Sequence, residues 1–119
     1  MFRLATALCL LTTAVHADGY AVGDTFEDPL QIAHEALAGF PYEGEERPPA
    51  FSVDVSSHYS GQITILVSET GFADDSVNGQ RTQYVLNPQD GAWTLSYMQQ
   101  HYLCWRGVNT VTWQTDLCS

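Results

Sequence analysis

The stretch QRTQYVLNPQDGAWTLSYMQQHYLC, residues 80–104, decides the fold. It reads as two strands, Arg81–Leu86 and Ala92–Cys104, hinged at Asn87-Pro88-Gln89-Asp90-Gly91. Along the longer strand Trp93, Leu95 and Tyr97 fall at every second position, with Thr94 and Ser96 between them. That period of two predicts a strand buried on one face. A loop then runs from Cys104 back to a second cysteine, Cys118.

Upstream of this hairpin lies another. Phe51, Val53 and Val55, with Tyr59 extending the series, alternate with Ser52, Asp54, Ser56 and His58. Ser60-Gly61 turns the chain, and Ile63, Ile65 and Val67 alternate with Thr64, Leu66 and Ser68. Two alternating runs around a glycine turn predict a β-hairpin. Before it comes one helix of about ten residues, the usual short-helix length. Asp28 is its N-cap, Pro29 suits the first helical position, and Gln31 stands where a capping box has its third residue. Leu30, Ala33 and Leu37 share its apolar face, extended by Ala36 and Phe40, and Gly39 and Pro41 stop it. The order of one helix then strands predicts an α+β domain: one short helix on an antiparallel meander of about four strands, closed by one C-terminal disulfide.

The first residues read as a targeting segment. Phe2-Arg3 supplies a positive start, Leu4 to Val15 is apolar, and Val15-His16-Ala17 presents small residues at the cleavage-reading positions. The expected signal peptide is residues 1–17, leaving residues 18–119 as a single domain. The apolar run falls short of the ~20 residues needed to span a bilayer, so no membrane insertion is expected after its removal. The chain carries four basic and 14 acidic residues, a net charge of −10. Loss of Arg3 would make it −11. Such a surface argues against nucleic acid or anionic membrane as partners, and fits a basic protein partner or plain solubility. A monomer in the periplasm or outside the cell is expected.

Cys104 and Cys118 are the two cysteines that survive cleavage, and an even pair in an exported chain of this size predicts a disulfide. Within the loop they close, Trp105 and Trp113 are the candidate binding surface, because an exposed tryptophan is a strong interface anchor. Asp18 to Phe26 reads as a loose leader, and Pro41 to Ala50, with Glu43, Glu45 and Glu46 among prolines, as a solvated surface loop.

Catalytic and metal chemistry find little footing. Asp74, Ser76, Asn78, Gly79, Gln80 and Thr82 fall on calcium-loop positions, but Val85 occupies the twelfth, where a bidentate glutamate must close the cage. The same segment reads more simply as Asp75 or Ser76 capping a turn, with Asn78-Gly79 reversing the chain. His34, His58 and His101 lack zinc spacing. No G-x-S-x-G, no cysteine beside a base and no phosphate-binding glycine loop occurs. No cofactor is expected. The alternative to a binding or structural protein is an enzyme or small-ligand carrier. Its polar pocket would lie between helix and sheet, drawing on His34, Glu35, Asp54 and His58.

The run Tyr59-Ser60-Gly61-Gln62-Ile63-Thr64, then Asp74-Asp75-Ser76-Val77 with Arg81, Trp93 to Cys104, and Cys104-x-x-Gly107 with Trp113 and Cys118 resembles a set of small exported bacterial proteins, many of them lipoproteins. The resemblance covers about two thirds of the mature chain. In that set the loop reads C-x-x-G-R-G-H-Q-x-W and ends in cysteine. Here Val108, Asn109, Thr110 and Val111 stand in place of the Arg-Gly-His-Gln stretch. The resemblance implies fold and compartment and transfers no catalytic residue. The element order also resembles cystatin-like folds, a fold-level analogy that says little about function.

Overall fold

The computed structural model describes residues 19–40 and 49–119. The expected signal peptide, Pro41 and the acidic stretch Glu43–Glu46 lie outside them. Five antiparallel strands form one sheet in the order β1-β5-β4-β3-β2: β1 Thr25–Phe26, β2 Ala50–Ser57, β3 Ile63–Thr70, β4 Val77–Gln89 and β5 Ala92–Cys104. One helix, α1 Gln31–Ala38, lies between β1 and β2 in the chain. The sheet thus has five strands rather than about four. The added one comes from the leader, where Thr25 and Phe26 pair with Thr94 and Trp93 of β5.

The β4–β5 hairpin is longer and tighter than the hinge at residues 87–91 implies. Gln89 pairs with Ala92, so only Asp90 and Gly91 form the turn, both with positive φ, 52° and 79°. That is the two-residue mirror-image turn whose twist matches the flanking strands. Pro88 is tolerated inside β4 because β3 has already ended beside it: Ile63 pairs with Leu86, and the missing N–H faces no strand partner.

One face of the sheet carries the core. Ile65, Leu86 and Leu95 are 0 % exposed, and Ile63, Tyr84 and Phe26 are buried around them, with Val53, Val67, Trp93 and Met98 packed at the margin. Register explains the grouping, since Ile65 stands opposite Tyr84 and Leu86 lies between Ile63 and Leu95. The alternation expected of Trp93, Leu95 and Tyr97 breaks after Leu95. Val85 pairs with Tyr97 while Leu86 pairs with Leu95, so Ser96 is an extra residue, a β-bulge that re-aims the rest of the strand. Tyr97 therefore turns to the other face and is 45 % exposed, and Met98 takes the inward place opposite Tyr84.

A second bulge lies at Asn78, between the pairs Val77–Cys104 and Gly79–Leu103. Asn78-Gly79 thus continues β4 instead of reversing the chain. The Asn78 carbonyl accepts from the Gly71 and Phe72 amides at 2.8 and 2.9 Å, and its side-chain Oδ1 accepts from Gly71 as well. Gly79 is required for close approach: a Cβ there would lie 2.4 Å from the Glu69 carbonyl oxygen.

The helix is eight residues long. Asp28 opens the turn before it, its Oδ1 accepting from the Leu30 amide at 2.9 Å and its carbonyl from Gln31 at 3.1 Å. Gln31 does not close a capping box; its side-chain amide donates to Glu35 at 3.1 Å. The buried positions are Ile32 and Ala33, whereas Leu37, expected on the apolar face, is 52 % exposed. At the helix end Phe40 stacks on Phe51 of β2, ring centroids 4.8 Å apart.

Candidate binding surface

Cys104 and Cys118 form the expected disulfide, with Cα atoms 5.5 Å apart. The loop they close lies against the end of the sheet and is tied there by Tyr102 and Gln114, whose backbone groups exchange hydrogen bonds of 2.7 and 2.9 Å. Trp113 covers part of the sheet face opposite the helix. The Arg81 guanidinium sits 4.9 Å from its ring centroid, a cation–π arrangement, and Arg81 Nε donates to His101 Nδ1 at 3.4 Å. Burial, and then the Arg81 charge, hold the His101 imidazole below its usual 6.5.

With its pKa lowered, His101 binds a proton less readily in the native state than in the unfolded chain. The histidine therefore supports stability above about pH 6.5 and loses that support as pH falls toward its lowered native value. Thermal melts from pH 5 to pH 8 should show a rise through this window, and His101→Gln should remove that part of the slope.

Trp105 is held differently. Its backbone amide donates to the Ser76 carbonyl at 2.8 Å and its indole N–H to the Phe72 carbonyl at 3.2 Å, yet 48 % of the residue faces solvent. The ring is thus oriented by hydrogen bonds while its surface stays open. On the same loop Val108, Val111 and Leu117 are 106 %, 81 % and 74 % exposed. Beside Trp105 the segment Asp74–Val77 is turned by the Asp74 carboxylate, which accepts from the Ser76 and Val77 amides at 2.9 and 2.8 Å. Asp74, not Asp75 or Ser76, is therefore the capping residue. These amides, that of Val77 foremost, hold the Asp74 carboxyl below its ordinary 3.8. Both bonds fall on Oδ2, and among the described residues no group of three or more His, Cys, Asp or Glu could hold a metal ion.

The four residues of the pocket alternative do not converge. His34 faces Asp28, Nδ1 to Oδ2 3.4 Å, at a mostly exposed position. Asp54 lies on the outward face of β2, opposite Leu66, and His58 is exposed at the β2–β3 turn, where its amide donates to the Gln62 carbonyl at 2.9 Å. Glu35 alone reaches a cavity. It accepts from the Tyr20 hydroxyl and the Gln31 side-chain amide at the mouth of a groove of about 570 Å³, lined also by Val67, Glu69, Thr82 and Gln100.

The groove exists because the inward face of the sheet changes character along its strands. Ile65, Tyr84 and Met98 give way one step on to Val67, Thr82 and Gln100, and then to Glu69, Gln80 and Tyr102. Gln100 and Gln80 hydrogen-bond across this floor at 3.1 Å. The helix covers the apolar end and leaves the polar end open. No protein-family model matches the chain, and no curated protein or solved structure matches it. Among the described residues no helix is long and apolar enough to cross a membrane.

Sequence reasoning singled out Trp105 and Trp113 but not Val108, Val111 and Leu117; it placed a polar pocket between helix and sheet, and of the four residues named for it only Glu35 lines the groove. The signal for the groove was present: Gln80 and Thr82 continue the inward alternation of Tyr84 and Leu86 with polar side chains.

Proposed function

We propose that this chain is an exported, non-catalytic binding domain of the bacterial cell envelope, and that its disulfide loop docks onto a basic protein. The observation that carries the reading is Trp105, fixed by two hydrogen bonds yet half open to solvent. Exposed Val108, Val111 and Leu117 extend the apolar surface of the same loop. Asp74, Asp75 and Asp116 lie on the loop or on the segment bonded to it, with Arg106 as the cation among them. An apolar centre with a charged margin is the anatomy of protein interfaces, and a tryptophan held in one orientation loses little freedom on binding. The acidic margin and the chain's charge of −10 favour a basic partner. The arrangement of one helix on an antiparallel sheet, which we read as cystatin-like, and the resemblance to small exported bacterial proteins support architecture and compartment, not partner identity.

A photo-crosslinker at Val108, in protein recovered from the envelope, tests this. It should capture a basic protein; capture should drop at least tenfold in Trp105→Ala, with the melting temperature nearly unchanged, and should weaken as salt rises. Equal capture by the variant would refute the docking role of the loop.

The groove supports a second reading, a small-ligand carrier, since its volume lies in the range of ligand pockets. Retention of a small molecule in native mass spectrometry, lost on Thr82→Trp, would establish that reading in place of the first.

A further inference from the structure

Among the described residues, strand β2 is a free edge of the sheet. It has eight residues, Ala50–Ser57, pairs with β3 on one side only, and contains no proline, lysine or arginine. Edges of this kind are normally blunted by such residues, by bulges or by a covering segment. The β2–β3 register runs without interruption from Ala50–Thr70 to Ser57–Ile63, so no bulge twists this edge away. We propose that β2 is a dimer seam, pairing antiparallel with β2 of a second copy of this chain to make one continuous sheet.

Hydrogen-bond parity selects the register. His58 bonds to Gln62 across the hairpin, and antiparallel pairs alternate between bonded and non-bonded. Ser56, Asp54, Ser52 and Ala50 therefore direct their backbone groups at β3, while Phe51, Val53, Val55 and Ser57 direct theirs outward. A partner strand must place outward-bonding residues opposite one another. That forbids the full overlap of Ala50 with Ser57 and leaves two registers next to it.

In one of these Asp54 stands directly opposite the Asp54 of its copy, and like charges facing across a ladder are unfavourable. In the other Val53 lies on the two-fold axis. Phe51 then faces Val55, an aromatic against a β-branched side chain, and Asp54 faces the Ser52 hydroxyl. The single charge of the strand thus meets a hydrogen-bond donor. Pro49, which lacks an N–H, falls opposite Ser57 and ends the ladder. Of the two registers nearest full overlap, this one alone is self-complementary. The sequence by itself gives reason to expect a monomer; the edge gives reason to expect a dimer that the acidic charge opposes.

Sedimentation equilibrium of the oxidised chain should show a monomer–dimer equilibrium that shifts toward dimer as sodium chloride rises, because salt screens the repulsion between two protomers of charge −10. Val55→Pro removes an N–H that β3 does not use, at a position 46 % exposed. It should sediment as a monomer with an unchanged circular dichroism spectrum. Val53→Cys places one thiol on the axis and should oxidise to a covalent dimer, an outcome that stands even if the proline variant fails to fold. The proposal is overturned by a chain that stays monomeric at every salt and protein concentration. It is equally overturned by undiminished dimerisation of folded Val55→Pro, or by a wild-type dimer that Val53→Cys cannot lock.

Discussion

Replacing Cys104 with serine should lower the melting temperature of the oxidised chain by roughly 10–25 °C, since a domain of this size shifts about 4–8 °C for each kcal/mol. The bridge spans a sequence separation of 14, and closing a loop of about 15 residues restricts the unfolded chain by about 3 kcal/mol in the chain-entropy account. Position 104 adds a second cost. Cys104 is 3 % exposed and stands opposite Val77 at the end of β5, so a serine hydroxyl there would be buried among apolar atoms. Cys118→Ser, at a half-buried position, loses the same closure without that burden and should lie a few degrees higher. The check is differential scanning calorimetry with and without reductant. Reductant should bring wild type down toward the variants and leave the variants unmoved. A wild-type melt indifferent to reductant would show that the bridge contributes nothing.

The bridge also bears on the proposed interface. Without it the backbone bonds between Tyr102 and Gln114 still tie the loop to the sheet, and Trp105 keeps its bonds to Ser76 and Phe72. Val108, Val111 and Leu117 lie farther along the loop, where the cross-link fixes the returning chain. Binding should therefore weaken in Cys118→Ser even at temperatures where the domain stays folded, because more of the loop must be ordered on docking.

Much of this fold is legible in the sequence, and the parts that are not share a physical cause. Alternation along their strands marks both hairpins, and the pair Cys104 and Cys118 marks the bridge. A two-residue strand such as Thr25–Phe26 contains no period to read, so β1 emerges only once β5 is there to accept it. The helix is legible as a helix, but eight residues give barely two turns, too few for spacing to decide whether Ile32 or Leu37 joins Ala33 on the buried face. The sheet decides, and it buries Ile32 at 2 % exposure. Trp105 is legible as a candidate anchor because of its residue type; its exposure is not, since that depends on where Phe72 and Ser76 of a distant turn come to rest.

Bulges are the least visible feature of all, because one inserted residue changes the face of everything after it without changing composition. The pair Leu95 and Tyr97 isolates that effect. Read by alternation they are equivalent, two inward apolar residues on one strand. In the structure Leu95 is 0 % exposed inside the cluster of Ile65, Tyr84 and Leu86, and Tyr97 is 45 % exposed on the opposite face. Leu95→Ala should therefore cost about 2–5 kcal/mol, the range for a buried leucine that leaves a cavity. Tyr97→Ala should cost less than about 1 kcal/mol, as surface substitutions do. Urea unfolding of the two variants measures both. The bulge at Ser96 is held by its own contacts: the Asn87 side-chain amide donates to Ser96 Oγ at 2.6 Å, and that hydroxyl donates to the Val85 carbonyl at 3.2 Å. If the two alanine variants lose comparable stability, Tyr97 is in the core after all, and the strand runs without the extra residue.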